Sequence, residues 1–305
     1  MRNVDELTAA GITNPELRKS YLECKRLNSL YGKTYFLATL LLPKTKRPFV
    51  HSLYGFARYA DEIVDAMDSD RSPASRRKEL EQWSWKMLQD IKRGQSEDLI
   101  GIALVDTVKR FEIPIAYFEA FLYSMAMDLE VTEYADYESL MEYVYGSAAV
   151  IGLQMLPILG FDQNREQDSK SAAQNLGIAF QLANFIRDIG EDLDRGRIYL
   201  PLNELKAFGV DREMLEKRVV TTELSKAIAF QITRVRDLQS KAAFGIKYLE
   251  KSSQPCIEAA SELYCGIVDE VENIDYQVFE RRAKTSAIRR IKVALPAWAR
   301  AVASR

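Results

Sequence analysis

The chain has 305 residues, 47% hydrophobic and 28% charged, with a formal net charge of −2. That is ample chain for a sizeable core in an ordinary soluble balance, and it argues against a nucleic-acid binder, which would be clearly basic. Cys24, Cys256 and Cys265 lack framework spacing and fit a reducing cytosol, no apolar run of about 18 residues suggests a membrane span, and the polar N-terminus does not resemble a signal peptide.

Glycine (14) and proline (9) are sparse, and long stretches repeat every 3.6 residues, so an all-α chain is expected. Asn14 and Pro15 read as an N-cap and a first helical proline, opening a helix that runs to Tyr31 with Gly32 as the break. Residues 33–42 form a short apolar helix stopped by Pro43. The next helix starts at Arg47 or Pro48 and ends near Asp68, before a polar loop over 68–75. Further helices are expected at 76–92, 98–110, 115–130, 137–159 and 169–194. A basic, Gly- and Pro-punctuated connection follows (RGRIYLPLNELKAFGV), and helices at about 221–251, 255–280 and 284–302 complete the chain. There is no solenoid repeat and no domain boundary, so residues 1–305 read as a single helical domain, one large bundle.

Two of these helices share an unusual design. In QLANFIRDIGEDLDRGRIYLP, residues 181–201, Gln181, Asn184, Asp188 and Asp192 recur at steps of three and four and so form one polar stripe. Leu182, Ala183, Phe185, Ile186 and Ile189 fill the rest of the helix and suit burial. In residues 52–67, Tyr54, Arg58, Asp61 and Asp65 make a second such stripe among Leu53, Phe56, Ala60, Ile63 and Val64. Polar stripes on apolar helices are costly unless something binds them, and like charges at i,i+4 repel. Two facing stripes would form a cage of oxygen ligands. Oxygen donors without Cys or His suit magnesium, which binds through one or two carboxylates plus substrate phosphates. Arg58 beside one stripe, and Arg187, Arg195 and Arg197 beside the other, suit bidentate contact with phosphate. The combination describes a diphosphate-ionisation site, and the apolar segments 121–127 and 145–160 suit a bundle interior that holds an isoprenoid chain. Other acidic groups, Asp68 with Asp70 and Asp269 with Glu270 and Glu272, read as solvated, and the lone His51 reads as structural.

These residues resemble the squalene/phytoene synthase family, on its bacterial phytoene-forming branch. The resemblance runs from about Tyr31 to Ala294 and rests on YGFARYADEIVD at 54–65, EYVYGSAAVIG at 142–152 and the 181–201 segment. It implies the isoprenoid synthase fold, all-helical with a central apolar cavity. It further implies head-to-head joining of two geranylgeranyl diphosphates, through a cyclopropylcarbinyl (prephytoene) diphosphate, to phytoene in carotenoid biosynthesis, without NADPH. By resemblance, Asp61, Asp65, Asn184, Asp188 and Asp192 hold magnesium, with manganese as a substitute. Lys33, Thr34, Tyr54, Arg58, Gln181, Arg187 and Arg281 contact the diphosphates, and Tyr143 and Tyr264 stand near the reacting carbons. Tyr31-Gly32-Lys33-Thr34-Tyr35 aligns with a family motif that usually reads His-Ser-Lys-Ser-Phe, and departs from it at Tyr31 and Gly32. Lipophilic substrate and product imply a cytoplasmic protein associated peripherally with a membrane. The rival readings are the same chemistry on farnesyl diphosphate, giving presqualene diphosphate, dehydrosqualene or squalene; a chain-elongating prenyltransferase; and a non-catalytic helical assembly protein of this fold.

Overall fold

The structure is a computed structural model that describes residues 4–65 and 72–304, with Asp65 described for its backbone alone. Among the described residues it is helical, joined only by isolated bridges between Glu133 and Ile198 and between Phe161 and Leu249. After α1 (Glu6–Ala9), α2 (Pro15–Tyr31) starts where Asn14 accepts from the Leu17 amide at 3.0 Å with Pro15 behind it. Then come α3 (Lys33–Thr39) and α4 (Arg47–Asp65). The expected end of α4 near Asp68, Asp70 and most of the loop 68–75 lie outside the described residues. Ser72 caps α5 (Pro73–Arg93), and Gly94 closes it at φ 70. α6 (Gly101–Phe111) and α7 (Ile115–Met127) follow.

The stretch 137–159, read from sequence as one helix, is divided. α8 (Tyr137–Val144) gives way to a π-helical turn (Tyr145–Ala149) and then to α9 (Val150–Leu159). Gly146 explains the position of this turn: any Cβ there would collide with the Ala120 carbonyl, so only glycine lets α7 approach so closely. α10 (Glu166–Asp194) is the axis of the molecule, packed against α9 and the later helices α13 (Thr222–Ile246), α14 (Gln254–Cys265) and α15 (Ile267–Asn273). Between α10 and α13 run two short helices, α11 (Leu202–Ala207) within the Arg195–Val210 connection and α12 (Arg212–Glu216) just beyond it. The expected helix over 255–280 is also split: Gly266 separates α14 from α15, and Asp275 and Tyr276 adopt positive φ (51 and 59), turning the chain before α16 (Ala287–Ala303). Asp269 and Glu272 are not simply solvated, because Arg236 bonds both and Arg289 holds Asp269 at 2.8 Å.

Two apolar clusters form the interior. One gathers around Phe56, Trp83, Phe118 and Phe121, and the other around Phe185, Ile186, Tyr143 and Tyr199. A cavity of about 320 Å³ is lined by residues of both. The residues of α4 and α10 expected to be buried are buried: Leu53, Phe56, Ala60, Ile63 and Val64 on one, and Leu182, Ala183, Phe185, Ile186 and Ile189 on the other. No helix among the described residues is long and apolar enough to cross a membrane. All three cysteines are free and buried. His51 is fully buried, with Nδ1 2.9 Å from the Asn28 amide nitrogen and its ring stacked on Phe36.

Candidate active site

Burial of the apolar faces of α4 and α10 leaves the polar stripe of α10 and Asp61 of α4 on a common opening. Asp61 from α4 and Gln181, Asn184, Asp188 and Asp192 from α10 line one pocket of about 280 Å³. Tyr143, Arg187 and the expected arginines Arg195 and Arg197 line it too, together with two groups that sequence reading did not assign, Asp128 and Tyr199, which form a hydrogen-bonded set with Arg197. The side chain of Asp65 lies outside the described residues. Among the described residues, no three carboxylates close on one point. The stripes therefore share a pocket rather than a closed cage, because Asp188 is turned to arginines. Arg187 donates to it at 2.7 and 2.5 Å and Arg282 at 2.8 and 3.0 Å.

The electrostatics follow from burial. Burial works to raise the Asp188 carboxyl, but the Arg187 and Arg282 guanidiniums overcome it and hold the group below the usual carboxylate range. Asp192, one turn away, has no such fork. Burial and the charge of Asp188 push it up to about 7, against the pull of Arg195 and Arg197. Asn184 Oδ1 is buried without a hydrogen-bond partner among the described residues. Hard oxygen donors, an orphaned amide oxygen and a carboxylate that is costly to ionise fit a divalent oxygen-seeking cation, which would relieve both costs. The two guanidiniums on Asp188 place positive charge where such a cation would place its own.

On the far wall, Tyr143 donates to Asp128 Oδ2 at 2.8 Å and Tyr199 donates to Oδ1 at 3.0 Å, while Arg197 donates to the Asp128 carbonyl at 2.8 Å. Tyr199 also stacks on Phe185 at 4.1 Å. Burial and the Asp128 charge raise both phenols, so they stay protonated donors. The connection after α10 is fixed here by the Ile198 amide, which donates to the Thr132 carbonyl at 2.7 Å.

The remaining expected residues are distributed around this pocket. Arg58 lies over the Tyr31 ring, 4.2 Å from its centroid, and donates to Glu62 at 3.2 Å. Tyr54 packs beside Tyr35, and a Cβ on Gly32 would stand 2.7 Å from the Tyr54 ring, so glycine at 32 makes room for it. Lys33 is exposed. Thr34, Arg187 and Tyr264 line a second pocket of about 170 Å³ with Arg282, Lys284 and Arg290. Arg281 is exposed and lines neither pocket; its neighbour Arg282 is the one on Asp188. Tyr264 stacks on Phe180 at 4.8 Å, and burial pushes its phenol up to about 12.

The apolar cavity joins these parts, since Gln181 and Asn184 line both it and the carboxylate pocket, and Tyr264 lines both it and the second pocket. Along α10 its wall runs from Asn184 to Ser169, a rise of about 22 Å.

Comparison with known proteins agrees with this geometry. Residues 29–289 match the squalene/phytoene synthase family. The chain is 33% identical to 15-cis-phytoene synthase of Synechococcus elongatus over 284 residues, 90% of this chain and 91% of that one. It is also 33% identical to 15-cis-phytoene synthase of Synechocystis, over 93% of this chain and 86% of that one. Among solved structures it is similar to a dehydrosqualene synthase in complex with a ligand (TM-score 0.84, 26% identity, 97% of this chain and 98% of that one). It is also similar to squalene synthase HpnC from Alicyclobacillus acidocaldarius (TM-score 0.78, 25% identity, 88% and 98%).

Proposed function

This chain belongs to the squalene/phytoene synthase family, and on that premise we propose that it joins two geranylgeranyl diphosphates head to head to make phytoene, as a single domain. One observation carries the reading: Asp61 of α4 shares one pocket with the polar stripe of α10, and that pocket continues, through Gln181 and Asn184, into an apolar cavity. At about 1.5 Å per carbon–carbon bond, shortened by the zigzag, the main chain of a four-isoprene substrate needs about 20 Å. The cavity wall along α10 runs about 22 Å, which leaves room for that chain.

The reaction has two halves. The first breaks the C–O bond to one diphosphate, joins the allylic cation to the double bond of the second substrate and releases a proton, leaving prephytoene diphosphate. The second breaks the remaining C–O bond, rearranges the skeleton and releases another proton, with no hydride consumed. Asp61, Asp65, Asn184, Asp188 and Asp192 would hold magnesium, with manganese as a substitute. Bound there, the ion supplies positive charge to the departing diphosphate. Arg58, Arg187 and Arg282 bring further cationic forks to the diphosphate oxygens, with Lys33, Thr34, Tyr54 and Gln181 as polar contacts. Arg281, which lines neither pocket, has an outer part in this. Tyr143, held as a donor by Asp128, faces the same pocket. Tyr264 and Phe180 line the cavity with aromatic surface, and the apolar walls keep water from the carbocation.

Thermal unfolding with magnesium and a geranylgeranyl thiodiphosphate tests the site, because ligand that binds only the native state stabilises it. A raised melting temperature in the parent chain, lost in Asp188→Asn, is expected. Equal shifts in the two proteins would remove Asp188 from the site.

A further inference from the structure

The last helix carries an apolar face that nothing among the described residues covers. On α16, Ile288, Ile291, Leu295, Trp298 and Val302 are 48–68% exposed and recur at steps of three and four, so they form one continuous stripe. Ala297 and Ala301 on the opposite face are fully buried, and α16 packs there against α14. The helix contains no acidic residue. Two of its bases are committed inward: Arg289 to Glu262 and Asp269, and Arg300 to Glu258 at 2.7 Å. Arg290 and Lys292, with Arg281 and Lys284 just before the helix, make no ion pair among the described residues.

We propose that α16 is a docking face for an anionic lipid bilayer: the Ile288–Val302 stripe enters the headgroup boundary while Lys292, Lys284 and Arg281 meet lipid phosphates. An exposed apolar stripe with a tryptophan, bordered by unpaired bases on a chain of net charge −2, is the pattern of an interfacial helix. The other candidate occupant of the stripe is a second copy of the chain. A self-paired α16 would bring two base-bordered stripes together with no acid on either helix to offset the charge, which disfavours that occupant. The location has a consequence. Arg290, in the first turn of α16, lines the cationic pocket together with Thr34, Arg187 and Tyr264. Docking would hold that pocket near the plane of the phosphates, where the diphosphate of a membrane-borne substrate lies. The inference deepens the proposed function and rests on it only for this consequence; the docking itself is independent of catalysis.

Flotation of the full chain with vesicles of phosphatidylcholine alone, or mixed with phosphatidylglycerol, tests the proposal. The parent chain should float with the mixed vesicles and much less with the neutral ones, and salt should weaken binding. The double variant Leu295→Ser with Trp298→Ser, and separately Lys292→Glu, should lower the bound fraction roughly tenfold or more, with unchanged helicity. Turnover of substrate in detergent micelles should stay at the parent level in both. A parent chain left in the soluble fraction, or a double variant that floats equally well, would overturn the proposal. So would a parent dimer that the double variant converts to a monomer, which would assign the stripe to a second copy. Absence of any hydrocarbon from the micellar assay, with flotation intact, would instead count against the proposed reaction alone.

Discussion

Arg282 grips Asp188 through two nitrogens, Nε at 2.8 Å and Nη2 at 3.0 Å, across 94 residues of sequence. Arg187 takes the same carboxylate from the adjacent position, so one buried acid carries two guanidiniums. Each is a charged fork beside a pocket suited to a cation and a diphosphate. Hydrogen bonds to charged groups contribute about 1.5–3 kcal/mol, so Arg282→Ala should lower kcat/KM for the diphosphate substrate by roughly 10–100-fold. Arg281→Ala, one residue away but lining neither pocket, should change it much less. Steady-state kinetics of the two variants decide between the neighbours, and a larger loss for Arg281→Ala would reverse the assignment.

Tyr31 stands where the family motif usually has histidine, and its ring lies under Arg58 at 4.2 Å. Together with Glu62 it fixes the direction of that guanidinium. A partly exposed cation–π contact contributes about 0.5–1 kcal/mol, so Tyr31→Ala should raise KM by about 2–5-fold with little change in kcat. Tyr31→Phe keeps the ring and should restore the parent KM. If the alanine and phenylalanine variants behave alike, the ring is not what positions Arg58.

His51 gives the fold a pH dependence. Burial, then the charges of Lys25 and Arg47, lower it from 6.5 to about 3, so it is neutral in the native state. Glu6 lies 3.7 Å from Nε2 but is itself neutralised by Lys25. The unfolded chain therefore binds more protons between pH 3 and 6.5 than the native one. The contribution is complete above 6.5 and is lost as pH falls. Between pH 7 and pH 5 it should cost about 2 kcal/mol. Denaturant unfolding of the parent and of His51→Gln checks this: the variant should lack that share of the acid slope, and parallel slopes would contradict it.

The parts legible in the sequence were those set by local spacing. The polar stripe on α10, the Asn14–Pro15 helix start and the apolar faces of α4 and α10 depend on residues at most four apart, and the structure shows them so placed, with Asp61 of α4 on the same pocket as the α10 stripe. Contacts closed by the fold were not legible. Asp128 meets Tyr143 and Tyr199 across 15 and 71 residues, and nothing next to Asp128 announces either partner. Arg281 and Arg282 are chemically identical neighbours, and the turn through Asp275 and Tyr276 precedes the segment that delivers one of them to Asp188. The π-helical turn at Tyr145–Ala149 depends on how closely α7 comes to Gly146, a fact of packing rather than periodicity. The helix over 284–302 was expected, but which of its faces lay uncovered was not.

The central claim is tested most directly by incubating the purified chain with magnesium and geranylgeranyl diphosphate, without NADPH, and identifying the hydrocarbon by mass spectrometry, with farnesyl diphosphate in parallel. The account predicts a forty-carbon product with the conjugated triene of phytoene from the geranylgeranyl substrate, and none from an Asp188→Asn variant. A thirty-carbon product from the farnesyl substrate alone, or a product that requires NADPH, would contradict it.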